Sequence, residues 1–255
     1  MNASPHIAVC VGAAVACLVA LPGCLGVETT QEKSARLAKE NKGLLKADKG
    51  LDVGKTSSSV KVLAKAVLQD PTGVAAVVRV KNTGPTQTGV PVLVTVLGKR
   101  GKKLYSNDIP GLDDSLTKIP VLQRGETFTW INNQIKVDGR ARSLKVTIGT
   151  GKPAPKGAVG PRTTLSALQL GRDAEGAFVQ GKARNTTTTI QKRLTVFCIA
   201  QSGTTIKAAG RSVIEKMPPK SAAKPTRFNA FFIGKPAGAR VQCKAPPVIL
   251  NGGSA

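Results

Sequence analysis

The sequence predicts an all-β protein: two tandem antiparallel β-sandwiches, preceded by an apolar leader and a polar tether. Two observations carry that prediction. From Val60 onward the chain is a series of short β-branched runs punctuated by Gly, Pro, Asn and Asp, the pattern of many short strands joined by tight turns. The second half then repeats the first, segment by segment and in the same order, about 100 residues later.

Taken in order, the chain opens on residues 1–23, where Ile7 to Leu21 form an apolar run without a charged residue. That run is shorter than the roughly 20 residues a membrane span needs and has the length of a secretory signal's apolar region. It ends in Leu21-Pro22-Gly23-Cys24. A small residue before a cysteine, with Leu three before it, resembles the lipobox of bacterial lipoproteins. The resemblance implies cleavage before Cys24, its diacylation, and anchoring on the extracytoplasmic side of the cell membrane. Two other readings of the run stand beside it: an ordinary signal cut after Ala14-Val15-Ala16, or an uncleaved anchor.

Residues 24–56 are polar and rich in Lys and Glu. Leu37, Leu44 and Leu51 recur every seven residues, but Gly43 and Gly50 interrupt and the second heptad position is not apolar, so the segment fails as a coiled coil and reads as a tether. In residues 57–150, strands are predicted at Val60–Leu63, Val74–Val80, Val92–Leu97, Thr127–Ile131 and Leu144–Ile148. Turns such as Asp70-Pro71-Thr72-Gly73 and Gln123-Arg124-Gly125-Glu126 separate them. Residues 151–163, with Pro153 and Pro155, read as a linker, and residues 164–255 as the second sandwich. The repeat pairs Arg79–Thr83 with Lys182–Thr186, Val94–Leu97 with Leu194–Phe197, Pro120–Trp130 with Pro218–Phe231, and Leu144–Ile148 with Ala239–Cys243.

Cys198 and Cys243 are the cysteines left after Cys10, Cys17 and Cys24 are assigned to the N-terminal segment. An even pair in an oxidising compartment predicts a disulfide; the alternative is a buried pair of free thiols. In this alignment Cys198 stands at the place of Gly98 and Cys243 at that of Ile148, each sharing a strand face with Val196 or Val241. Closing that loop is worth about 3–4 kcal/mol, and reduction is expected to loosen the second sandwich alone.

Val80-Lys81-Asn82-Thr83-Gly84, Gly101-Lys102-Lys103-Leu104-Tyr105 and Leu122-Gln123-Arg124-Gly125-Glu126-Thr127-Phe128 resemble the FxLYD-type immunoglobulin-like domains of bacterial lipoproteins; Arg184-Asn185-Thr186 carries the resemblance in the second half. It implies envelope attachment and a binding role, with no catalytic residue.

The formal net charge of +24 points to an anionic partner. Residues 153–255 carry 16 Lys and Arg against Asp173, Glu175 and Glu215. Lys192, Arg193, Lys220, Lys224 and Arg227, in or beside turns, are the expected contacts with anionic lipid or wall polymer; a cationic surface that only keeps the chain in solution is the competing explanation. One Trp and one Tyr cannot build the stacking platforms of single-strand binders, so nucleic acid is not expected. The single histidine, His6, lies in the leader, which leaves no His for hydrolytic triads or zinc. No catalytic residue, metal or cofactor is predicted, and no protein partner is specified. The expected role is non-enzymatic binding or scaffolding at the envelope. The alternatives are a wall-polymer hydrolase using Asp108, Asp113 and Asp114, acids that are also potential Ca²⁺ ligands, or a docking subunit of an envelope transport system. Trp130 and Tyr105 are read as core rather than as a recognition pair, and Phe228, Phe231 and Phe232 as the matching strand of the second half.

Substituting Cys24→Ala should move the protein from the membrane fraction to the soluble envelope or medium, or leave the precursor uncleaved. Mature protein that still pellets with membranes, with no lipid mass on its N-terminal peptide, would contradict the lipobox assignment.

Overall fold

The computed structural model describes residues 50–220 and 224–250. The leader, Cys24 and most of the tether lie outside the described residues. The described chain is all-β, with strands in antiparallel sheets and two single 3₁₀ turns.

In the first half, β1 (Val60–Asp70), β2 (Gly73–Asn82) and β6 (Thr127–Ile135) form one sheet in the order β1-β2-β6. The facing sheet is built around β3 (Gln87–Leu97). The start of β3 pairs with β5 (Lys118–Leu122) and β8 (Lys152–Pro153), and its end with β4 (Lys103–Ser106) and β7 (Ser143–Ile148). The second half repeats this plan. Strands β10 (Thr164–Asp173), β11 (Gly176–Arg184) and β14 (Thr226–Gly234) make one layer, and β13 (Thr205–Met217), β12 (Gln191–Ser202) and β15 (Arg240–Lys244) the other; a short β13–β14 pairing joins them. The segment predicted as a linker is held at both ends. Strand β8 pairs with β3, and β9 (Val159–Arg162) pairs with β16 (Pro247–Ile249).

The duplication rests on a repeated polar pin. Asn82 closes β2: its Nδ2 donates to the carbonyls of Pro85 (2.7 Å) and Leu122 (3.1 Å), and its Oδ1 accepts from Gly84 N–H. Asn185 closes β11 in the same way, donating to Thr189 (2.7 Å) and Pro218 (2.9 Å) and accepting from Thr187 N–H. The glutamine that opens the next strand repeats as well. Gln87 Nε2 donates to Ser59 Oγ (3.0 Å), while Gln191 Oε1 accepts from Thr163 Oγ1 (3.1 Å). Two residues further on, Gly89 and Arg193 both adopt left-handed backbone, at φ 58° and 51°.

This correspondence corrects the alignment drawn from sequence. With Gln191 at the place of Gln87, Cys198 occupies the place of Val94 rather than Gly98. Its strand partner Cys243 occupies that of Val146 rather than Ile148. Both slips are even, four and two residues, so the faces predicted for the cysteines survive them. Cys198 and Cys243 are disulfide-bonded across adjacent strands of one sheet, and both pack on the second core. In β14 the slip is odd and changes the outcome. Trp130 lies opposite Val78 and Phe228 opposite Gly181, so Phe228, not Phe231, takes Trp130's place. A Cβ on Gly181 would stand 2.6 Å from the Phe228 ring, so the missing side chain makes room for it. Phe228 and Phe232 are buried, whereas Phe231 lies on the outer face. Trp130 is fully buried, its indole N–H donating to Ser115 O at 3.0 Å.

Residues of both halves build the first core, while the second half keeps a core of its own. Along β12, Val196, Cys198 and Ala200 face the second core, whereas Phe197 and Ile199 join the cluster of the first half, together with Ala209 and Ile233. Phe197 meets Phe128 edge to face, ring centroids 5.3 Å apart. On β2, every residue from Val74 to Val78 is buried, and Arg79 on the Ala75/Val77 face reaches Gln201 Oε1 at 3.2 Å.

That shared core changes the expected effect of reduction. Cleaving Cys198–Cys243 should cost about 3–4 kcal/mol in a single unfolding transition that includes both halves. Scanning calorimetry with and without reductant checks this; two transitions, of which only one moves, would contradict the continuous core.

Candidate anion-binding surface

The basic residues predicted from sequence do not form one cluster. Arg193 is engaged in ion pairs with Asp113 and, at 3.2 Å, with Glu215. Lys192 lies opposite Lys216 at the start of β12, and Lys220 follows β13, its N–H bonded to Thr187 O. Lys224 is exposed ahead of β14. Arg227 belongs to a different surface, on β14 opposite Lys182 of β11.

Basic residues do converge at the end of β3 in the first half. On one side the turn Lys99-Arg100-Gly101 leads into β4. Arg100 and Gly101 are left-handed (φ 56° and 75°), and Gly98 N–H and Lys102 O close the turn at 2.8 Å. Gly98 packs closely there: a Cβ would stand 3.0 Å from the Leu104 side chain, which would have to shift. On the other side Arg142 N–H donates to Leu97 O at 2.8 Å. The Gln69 amide holds this second segment: its Nε2 donates to Gly139 O (2.9 Å), and its Oε1 accepts from Ala141 N–H (2.8 Å). Lys99, Arg100, Lys102, Lys103, Arg140, Arg142 and Lys145 are therefore gathered around one strand end, all exposed. Among described acids, only Asp108 comes within ion-pair distance of them, 3.9 Å from Lys103. Sequence reading missed this group because its two segments are about 40 residues apart in the chain; the Lys99–Lys103 run was legible, but was assigned only a turn.

The last residues of the tether run along the other end of β7, where Ile148 lies opposite Val92, five residues along β3 from Leu97. Ser57 N–H bonds Ile148 O (2.9 Å), and Lys55 O accepts from Thr150 N–H (3.1 Å). Gly50 lies so close to Asp108 that a Cβ would stand 1.7 Å from its carbonyl oxygen. From Ser57 back to Gly50 the chain thus runs toward the Asp108–Lys103 pair.

Three of the six acids of residues 57–152 bind the second half. Asp70 accepts from Gly234 N–H at 2.7 Å. Glu126, nearly buried, pairs with Arg162 (2.7 Å) and Lys244 (2.9 Å), and the Lys244 ammonium lies 5.5 Å from the Phe128 ring centroid. Asp113 accepts from the Ser115 N–H and hydroxyl and pairs with Arg193, while Arg211, its side chain only 4% exposed, stands 3.7 Å away and donates to Ser115 Oγ. Burial pushes the Asp113 carboxyl up, but the Ser115 donors, Arg193 and the charge of Arg211 hold it below the ordinary 3.8. Burial likewise acts upward on Asp70, where the Thr72 hydroxyl and the Gly234 and Thr72 amides bring it below its ordinary value. Burial lowers Arg211, against the raising effect of Asp113.

These pairs also define the chemistry of the acidic loop. A general acid for glycoside hydrolysis needs a raised pKa, the reverse of what Asp113 experiences, and Asp114 is paired with Lys118 at 2.7 Å. Among the described residues no group of three His, Cys, Asp or Glu could hold a metal ion. No helix among them is long and apolar enough to cross a membrane. Compared with protein-family models, curated proteins and solved structures, the chain matches none of them.

A carboxylate whose folded pKa is depressed contributes stability above its unfolded pKa, and that contribution is lost as pH falls through the folded value. Asp113→Asn, which leaves Arg211 buried without its counter-charge, should therefore cost about 2–3 kcal/mol at pH 7. That is below the usual cost of breaking a buried pair because Asp113 is 29% exposed; the solvent-exposed Arg193 contact adds little. The difference from the unsubstituted protein should shrink as pH falls below about 4, as urea unfolding at pH 7 and pH 3 would measure.

Proposed function

We propose that this chain is a lipid-tethered, non-enzymatic envelope protein, as its lipobox and FxLYD-type resemblances imply, and that its first sandwich docks by its basic end on the anionic membrane surface that holds the tether. The observation that carries this reading is the gathering of seven exposed cations at one strand end. Gly50 of the tether packs on Asp108, whose carboxylate lies 3.9 Å from the Lys103 ammonium of that group. A basic residue near an anionic leaflet contributes about 1 kcal/mol. A diacylated cysteine already supplies the two chains that stable attachment needs, so the basic patch would orient the first sandwich on the leaflet instead of securing it. The ion pairs of Arg162, Arg193, Arg211 and Lys244 with Asp113 and Glu126 support assigning the membrane-facing role to the first half instead of the second. The state of Asp113 and Asp114 favours binding over carboxylate hydrolysis.

The test uses the mature chain with Cys24→Ser, so that no lipid contributes, and vesicles with and without anionic lipid. Binding should require anionic lipid and weaken steeply with salt, since exposed charges are screened over about 8 Å at physiological ionic strength. Joint replacement of Lys99, Arg100, Lys102 and Lys103 by Glu should reduce it at least tenfold. Equal binding to neutral vesicles, or no effect of the replacement, would overturn the reading.

A further inference from the structure

The outer face of the β10-β11-β14 layer carries three rows of side chains set by the strand register. In the first, Phe178 of β11 lies opposite Phe231 of β14, ring centroids 5.5 Å apart and planes tilted by 55°. Gly171 of β10 completes the row, and a Cβ there would stand 2.5 Å from the Phe178 ring, so the ring lies over bare backbone. In the second row, Gln180 stands opposite Asn229 and donates through Nε2 to Gln169 Oε1 at 2.9 Å. In the third, Lys182 stands opposite Arg227, with Ser166 beyond it on β10. Rows two residues apart on a strand are separated by about 7 Å.

Three features distinguish this face from an ordinary solvated sheet. Both phenylalanines are only half-buried, although a sheet's solvent face ordinarily carries polar residues. A shallow depression of 270 Å³ opens where the amide and cationic rows meet, lined by Ala167, Gln169, Gln180, Lys182, Arg227 and Asn229. It lies at a β-bulge where Ala167 takes the left-handed conformation (φ 51°) and the β10–β11 register shifts between Ser166 and Gln169. The depression has no acidic residue in its lining, and neither Lys182 nor Arg227 is in an ion pair with a described residue.

We infer that this face is a binding site for an extended oligosaccharide carrying carboxylate groups. Each row matches one part of such a ligand. An aromatic face packs on the apolar C–H side of a sugar ring, the amides exchange hydrogen bonds with its hydroxyls, and the planar Arg227 guanidinium takes a carboxylate in bidentate fashion. The order of the rows selects the ligand. Only one of the three is cationic, so a chain with a charge on every unit would place charges over the amides and phenylalanines without compensation. A lipid surface needs basic residues and apolar insertion, but makes no use of an amide ladder. The site is separate from the basic end of the first sandwich, and its binding does not depend on the membrane-docking reading; export only supplies access to the ligand.

The experiment titrates the mature Cys24→Ser chain with an oligosaccharide in which glucuronic acid alternates with neutral N-acetylglucosamine, with a neutral glucose oligosaccharide of equal length, with a polyol phosphate polymer and with anionic vesicles. Saturable binding of the uronic acid oligosaccharide is expected, at least tenfold tighter than that of the neutral one. Upfield shifts of its ring protons would report stacking. Arg227→Gln should weaken binding at least fivefold. Joint replacement of Phe178 and Phe231 by Leu, which keeps apolar side chains over the sheet, should abolish the ring-proton shifts while the unfolding transition remains cooperative. The Lys99, Arg100, Lys102, Lys103→Glu protein should keep oligosaccharide binding in full, which separates this site from the membrane-docking one. Affinity unchanged by Arg227→Gln, ring-proton shifts that persist when Phe178 and Phe231 are both replaced by Leu, equal or tighter binding of the phosphate polymer, or vesicle binding that depends on Arg227 and Phe178 would each overturn the assignment.

Discussion

A strand buried on both faces has no solvent side, so it must lie between two packed layers. Val74-Ala75-Ala76-Val77-Val78 of β2 is such a strand, and so is the Leu194–Ala200 stretch of β12. The requirement is met by stacking the outer face of the second sandwich on the β1-β2-β6 sheet, where Phe197, Ile199, Ala209 and Ile233 complete the first core. Ala75, Ala76, Ala208 and Ala209 provide the small side chains that close packing of sheets needs. Everything else in the molecule follows from this contact. It leaves the β3 end of the first half and, up to Phe231, the β10-β11-β14 face of the second as outward surfaces, and it fixes which charges are neutralised.

The charge distribution is a consequence of that stacking. A basic second half would repel a basic first half, and the rim of the contact is where acids oppose the repulsion. Asp70, Asp113 and Glu126 come from the first half, and each bonds a group of the second. Arg211 is the most constrained member, with 4% of its side chain exposed. A buried guanidinium is costly without a carboxylate and hydrogen bonds, which Asp113 and Ser115 provide. Such pairs add little net stability but penalise other orientations of the two halves, since an offset would leave Arg211 or Glu126 buried and unpaired.

Inside each half, the Asn82 and Asn185 pins perform the same task at a smaller scale. A buried side-chain amide that bonds two carbonyls ties the end of one strand to the turn that feeds another, and leaving those carbonyls unpaired costs about 1–3 kcal/mol each. Their repetition, with Gln87 and Gln191 following, is the firmest structural trace of the duplication. The sequence alignment caught the asparagines, but chose strand partners by apolar resemblance. Alternating strands look alike under even shifts, so the cysteine faces were read properly from a misaligned register. The odd shift at Phe231 reversed its face.

By itself the sequence determined the all-β class, the two-fold repeat, the turns, the disulfide pair and the surplus of positive charge. Each of these is local or compositional: β-branched alternation, Gly and Pro punctuation, cysteine count, and the sum of ionised side chains. What only the tertiary structure decided was which faces meet and which charges remain unneutralised. Double-sided burial of β2 was legible in its unbroken apolar run, but the run does not name the surface that covers it. Lys99–Lys103 and Arg140–Lys145 converge because β3 brings both segments to one end, and Arg193 left the candidate set because a distant Asp113 reached it. Phe231 exchanged the core for the surface through one step of register. Contacts of this kind depend on the relative placement of segments far apart in the chain, and a pattern with a period of two residues carries no record of that placement.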